Sequence, residues 1–175
     1  SGTGGTSLVE LEAGGNLTGT GVVEADKLAI KTGGSASLTN SQSVLLLAAS
    51  VGSGGFSFQN GDDLTLGSAG SVSGVTAAGN IDIQSSDNLY VNGAVSSTGG
   101  NLQLTAGGDL TVNAGGSVSA SQIDLSGYQL TLDGSFYPGR AGVAGGTLNL
   151  NGMFATFGST SQLHMDLGPG IHDTL

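Results

Sequence analysis

The chain has 175 residues, 34 of them glycine, with two prolines and no cysteine or tryptophan. Thirteen acidic residues face three basic ones, Lys27, Lys31 and Arg140, for a formal net charge of -10. This composition excludes disulfide frameworks and cysteine-based metal or redox sites. It excludes collagen, which needs a Gly-X-Y period and abundant proline. It also argues against nucleic acid and anionic membranes as partners, because clustered Lys and Arg are missing.

At 37% hydrophobic, the chain carries enough apolar surface to fold. Its apolar residues arrive as short dyads around one polar residue. In chain order one series reads Val9-Glu10-Leu11, Leu28-Ala29-Ile30, Phe56-Ser57-Phe58, Ile81-Asp82-Ile83, Leu102-Gln103-Leu104, Ile123-Asp124-Leu125 and Leu148-Asn149-Leu150. The intervals between their starts vary, and the one from Leu28 to Phe56 is the longest. A second series interleaves: Leu17, Leu38, Leu64-Thr65-Leu66, Leu89-Tyr90-Val91, Leu110-Thr111-Val112 and Leu130-Thr131-Leu132. A third is Val23, Val44, Val72, Val95 and Val118.

Alternation over three to five positions is the strand signal. Gly-Gly, Asn-Gly and Gly-Asp between dyads are turn signals. Strands this short are not stable as isolated hairpins. Three of them recurring about every 21 residues predict a coil with three faces. Apolar side chains point inward and the middle residue of each dyad points outward. The alternative is an antiparallel sandwich, which has no need of three registers at one period. The fold expected is therefore a right-handed parallel β-helix of about seven three-strand coils, a rod about 35 Å long at strand spacing. The absence of a strict hexapeptide repeat favours the right-handed form. Two places break the period: the long interval before Phe56, around residues 48–55, and an excursion at residues 135–144. The longest apolar run, residues 44–49, is too short to cross a bilayer. Residues 1–5 are no signal peptide.

Phrases such as GGNLQLTAGGDLTV, within residues 99–112, resemble bacterial secreted β-helical exoproteins. These are passengers of autotransporters and of two-partner secretion, of filamentous haemagglutinin type. Residues 146–175 resemble an autotransporter-type repeat segment, through Leu163, Met165, Leu167, Gly168, Gly170, Asp173 and Leu175. The resemblance implies a single β-helix segment over residues 1–175, a fragment of a longer passenger. It implies an extracellular or cell-surface location and a structural or adhesive role. The partners it implies are a host or neighbouring-cell surface glycan or protein, or end-to-end self-association.

Candidate chemistry is sparse. Ser57, Asp82, Gln103, Asp124 and Asn149 are expected to form an outward column, with Asp82 and Asp124 two coils apart. That spacing, about 9–10 Å, exceeds a retaining glycosidase pair and lies near the upper limit of an inverting one. A polysaccharide-acting β-helix enzyme is thus the alternative, and a solvated polar face the simpler reading. Asp62, Asp63, Asp87 and Asp109 fall at turns, where turn stabilisation explains them better than calcium does. His164 and His172 have no third ligand for zinc. No metal and no cofactor are expected. Thr65, Thr111 and Thr131, with Tyr90, form a second outward column that β-propensity explains. A glycan-binding module in the excursion at residues 135–144 is a further alternative, with Tyr137 and Arg140 as binding residues. An aromatic ring and a guanidinium together suit a sugar. Phe136 falls where a core residue of the third face is due.

Overall fold

The computed structural model describes residues 7–139 and 146–164. The chain forms a parallel β-solenoid of about seven turns, and no helix occurs among the described residues. Each regular coil supplies three short strands. The first strands are β1 (Leu8–Ala13), β2 (Leu17–Thr18), β3 (Glu24–Thr32) and β4 (Ala36–Val51). The next coil is β5 (Phe56–Asn60), β6 (Leu64–Leu66) and β9 (Val75–Ala77), interrupted by β7 (Ser68–Ala69) and β8 (Val72–Ser73). Four further coils follow. They are β10 (Ile81–Ser85), β11 (Leu89–Val91) and β12 (Ala94–Ser97), then β13 (Leu102–Ala106), β14 (Leu110–Val112) and β15 (Ser117–Ala120). The last two are β16 (Gln122–Ser126), β17 (Gln129–Leu132) and β18 (Ser135–Pro138), then β19 (Thr147–Asn151), β20 (Phe154–Phe157) and β21 (Gln162–Leu163).

From β5 onward each strand except β7 and β8 pairs in parallel with the equivalent strand one coil away, in unbroken register. The columns predicted from the dyads are present. Ile81, Leu102 and Ile123 stack, as do Leu89, Leu110 and Leu130, and all six are buried. Val75, Val95, Val118 and Phe136 form the column of the third face. The core is continuous along the rod, with Phe56, Phe58 and Phe136 its largest buried side chains. Phe136 is a core residue as its position in the series predicts.

The first coils differ from the sequence reading. Val9-Glu10-Leu11 and Leu28-Ala29-Ile30 do not lead into Phe56-Ser57-Phe58. They continue through Leu47, Ala48 and Ala49 to Leu66 and Val75, on the second and third faces. Phe56 instead stacks on Ala36, and Ala36 on Leu17. Strands β1 and β3 each span two faces, and β4 turns around all three, pairing with β5, β6 and β9. The long interval from Leu28 to Phe56 came from joining dyads of different faces, and residues 48–55 hold no inserted loop.

The true insertion lies between β6 and β9. There β7 and β8 form an antiparallel hairpin, with Ser68 opposite Ser73 and Ala69 opposite Val72. Gly70 opens its tight turn at φ 54°, a backbone conformation that glycine adopts without strain. The hairpin folds down the outside of the rod. Ala69 and Val72 pack on Ala29 and Ala48, with Leu46 at the edge, forming a second small apolar cluster. Val72 therefore belongs to this outer cluster and not to the third-face column, which Val75 occupies.

Corners are fixed by side chains that reach the backbone of the next coil. Asp63 Oδ1 accepts from the Asn88 N–H at 2.9 Å, Asn88 Oδ1 from Asp109 N–H at 2.9 Å, and Asp109 Oδ1 from Gln129 N–H at 3.1 Å. Each bond does for the corner what a ladder bond does for a strand, satisfying an N–H that would otherwise need water. Gln42, Asn60 and Ser85 stack as a buried polar column at the end of the first face. Asn60 is fully engaged: its Oδ1 accepts from Val44 N–H at 3.0 Å, and its Nδ2 donates to the Val44 and Asp62 carbonyls at 3.0 Å.

Candidate functional site

Among the described residues, the outward faces and the clefts beside the hairpin offer places for chemistry. On the first face the predicted column is continuous: Ser57, Asp82, Gln103, Asp124 and Asn149 are successive register partners. Gln103 separates the two carboxylates. Asp124 is held by amides, with Gln122 Nε2 donating to Oδ2 at 2.9 Å and Asn149 Nδ2 to Oδ1 at 2.5 Å. Asp82 has a longer contact from Gln84 Nε2, 3.4 Å. A carboxylate whose two oxygens both accept from amides is arranged as a structural acceptor. General acid catalysis would need a proton on one of those oxygens.

The second face carries Thr65, Tyr90, Thr111, Thr131 and Thr156 in one column. All but the last are half-buried. Of the turn aspartates, Asp63 and Asp109 accept backbone N–H groups as described, and Asp62 Oδ2 accepts from Ser43 Oγ at 3.0 Å. Among the described residues no three His, Cys, Asp or Glu side chains gather as a metal site.

The third face has an outward column running almost the length of the rod. It reads Glu12, Lys31, Ser50, Thr76, Ser96, Ser119 and Tyr137 in register. One rung beyond Tyr137, His164 stacks on it, ring centroids 4.2 Å apart and planes inclined by 11°. The His164 backbone N–H donates to the Phe136 carbonyl at 2.9 Å, which holds the ring over Tyr137. His164 is exposed, and its pairing with Tyr137 emerges only from the coil register. The two belong to successive coils and lie far apart along the chain.

Tyr137 is thus not a loop residue. Residues Ser135–Pro138 form the regular strand β18, paired with β15, so the excursion expected at 135–144 does not include them. Tyr137 is half-buried and rooted in the sheet. Arg140, its predicted companion, lies outside the described residues, as do Met165, Leu167, Gly168, Gly170, Asp173 and Leu175 of the C-terminal repeat segment, whereas Leu163 lies on β21. Residues 147–163 form ordinary rungs of the same solenoid.

The hairpin borders a cleft lined by Lys31, Ser50, Ser71, Ser73 and Thr76. Its cation is already matched, with Lys31 Nζ 3.2 Å from Glu12 Oε1 and both side chains mostly exposed. Gly70 at the hairpin tip lies so close to Glu10 that a Cβ would meet its carboxylate. The sequence signal for this hairpin was available: Gly67, Gly70 and Gly74 punctuate a coil several residues longer than its neighbours.

Searches of protein-family models, curated proteins and solved structures return no match to this chain.

Proposed function

We propose that this chain is a rod segment of a bacterial surface or secreted exoprotein, with a structural and adhesive, non-enzymatic role. The observation that carries this reading is the combination of one apolar core shared by all the coils with outward columns of mostly polar side chains. A stack of coils sharing one core is stiff along its axis, because each rung is bonded to the rungs above and below. Such a rod projects or spaces whatever it carries. The exoprotein-like texture of the sequence supports an extracellular setting, and a host or neighbouring-cell glycan or protein as partner. End-to-end association with another copy is a second mode of assembly open to a solenoid, whose terminal strands offer a pairing edge.

The polysaccharide-enzyme alternative rests on Asp82 and Asp124. It predicts release of reducing ends or unsaturated products, lost in Asp82→Asn or Asp124→Asn. The adhesive reading predicts none. Beads coated with the purified protein should bind epithelial or bacterial cells more than albumin-coated beads do. Equal binding of the two bead types, or hydrolysis that depends on either aspartate, would overturn the proposal.

A further inference from the structure

We propose that the outer face of the Tyr137 ring is a stacking platform for a neutral sugar unit of an extended glycan lying along the third face. This rests on the adhesive reading and names the ligand class for it. The register places His164 directly beyond Tyr137, so their near-parallel rings stack along the rod axis. One face of the Tyr137 ring is covered by His164. Beneath the other face, one rung back, the column holds Ser119, followed by Ser96 and Thr76. A serine side chain ends at Oγ, where a tyrosine ring only begins. The far face of the ring therefore overlooks a step floored by hydroxyls, with the Ser117 hydroxyl position beside it on the same strand.

The chemistry of that step selects the ligand. A pyranose presents a C–H face and a hydroxyl rim. The face stacks on an aromatic ring, and the rim exchanges hydrogen bonds with serine hydroxyls, which both donate and accept. A sugar over Ser119 would continue the ring ladder that His164 and Tyr137 begin. A β-strand peptide is a poorer fit, because the strands at this step are paired on both sides. A polyanionic glycan is disfavoured by the net charge of -10.

The test titrates the whole protein with cellohexaose, chitohexaose and a hyaluronan hexasaccharide, by calorimetry and by shifts of the tyrosine ring protons. At least one neutral probe should bind and perturb the Tyr137 ring, and the hyaluronan probe should bind more weakly. Ser119→Leu fills the step while leaving Tyr137 in place, and should weaken binding by about tenfold or more. Tyr137→Phe should stay within about threefold of the parent. Ser57→Leu, on the first face, should change nothing. Tyr137→Ser gives the column the residue it has at Ser119, so loss of binding with an unaltered melting curve separates stacking from folding. Unchanged binding in both Ser119→Leu and Tyr137→Ser overturns the platform. So does a parent protein that binds no neutral probe. If coated beads still adhere in either case, the adhesive reading stands without the platform. If probe binding follows the pattern but beads do not adhere, the platform stands and the adhesive reading falls.

Discussion

The middle coils, β10 to β17, and the first coils, β1 to β4, bury the same kind of column by different means. In the middle, each dyad is a separate short strand with a polar residue outward, and most of the corners between strands carry glycine or asparagine. In the first coils the strands run long, nine residues in β3 and sixteen in β4, and bend around corners without a break. The outward residues there are partly apolar, because the β7–β8 hairpin covers Ala29 and Ala48. The middle thus has one buried side, whereas the first coils have a core inside and a second small cluster outside. Alternation reports burial only where one side faces water.

The largest expected effects lie in the shared inner core. Leu102→Ala, in the middle, should cost about 2–5 kcal/mol, and Phe56→Ala, where the two regions meet, about 3–5 kcal/mol. Both residues are fully buried with rungs stacked on either side. Urea unfolding monitored by circular dichroism measures both. A loss below about 1 kcal/mol at Leu102 would mean that the inner columns do not act together along the rod.

A sharper probe sits at the junction. Asn60 is fully buried and bonds to Val44 of the preceding coil and to Asp62 beside it. Asn60→Ala leaves the Val44 N–H without its acceptor, at about 1–3 kcal/mol. The expected readout is faster amide exchange at Val44 than at Val91, in the middle. Equal acceleration at both would show the two regions unfolding as one unit.

The same contrast explains what was legible in the sequence. The columns through Ile81, Leu102 and Ile123, and through Leu89, Leu110 and Leu130, were readable because Asp82, Gln103, Tyr90 and Thr111 between the apolar residues face solvent. The run through Leu45, Leu46, Leu47, Ala48 and Ala49 gave no such signal. There Leu47 and Ala49 point into the core, while Ala48 is buried beneath the hairpin and Leu46 packs at its edge. With alternation erased, the dyads of the first two coils were assigned to the wrong face. Val72 misled for a related reason, since it is apolar and buried, but outside the rod. At the candidate site, Tyr137 was expected on a loop and lies on strand β18, while spacing placed Phe136 in the core. It did not find the stack on His164, because contacts between coils depend on the summed length of every intervening turn.

The hairpin itself can be removed from the comparison. Gly70 has positive φ, and its missing Cβ leaves room for Glu10. Gly70→Ala adds both strain and a clash, for about 1 kcal/mol or somewhat more. The loss should be local. Amides of Ala69 and Val72 should exchange faster while those of Leu102 and Leu104 keep their protection. If Gly70→Ala lowers protection in the middle coils as well, the hairpin is part of the main cooperative unit and the outer cluster is not a separate one.

The smallest effect expected is at the surface of the first coils, where Lys31 and Glu12 form the ion pair beside the hairpin cleft. Both side chains are largely exposed, at 63% and 73%. Exposed pairs of this kind are screened by water and salt and lose side-chain entropy when held together, so Glu12→Gln should cost about 0.5 kcal/mol or less. The difference from the parent should shrink as salt is raised, since screening already weakens the pair. A larger, salt-independent loss would point to a different role for Glu12. Its neighbour two residues back, Glu10, lies under the hairpin tip, and a carboxylate lost at Glu12 could then act by unseating the hairpin. The double variant Glu12→Gln with Gly70→Ala separates these cases. Additive losses confine Glu12 to a solvated ion pair, whereas a loss no greater than that of Gly70→Ala alone places its effect in hairpin docking.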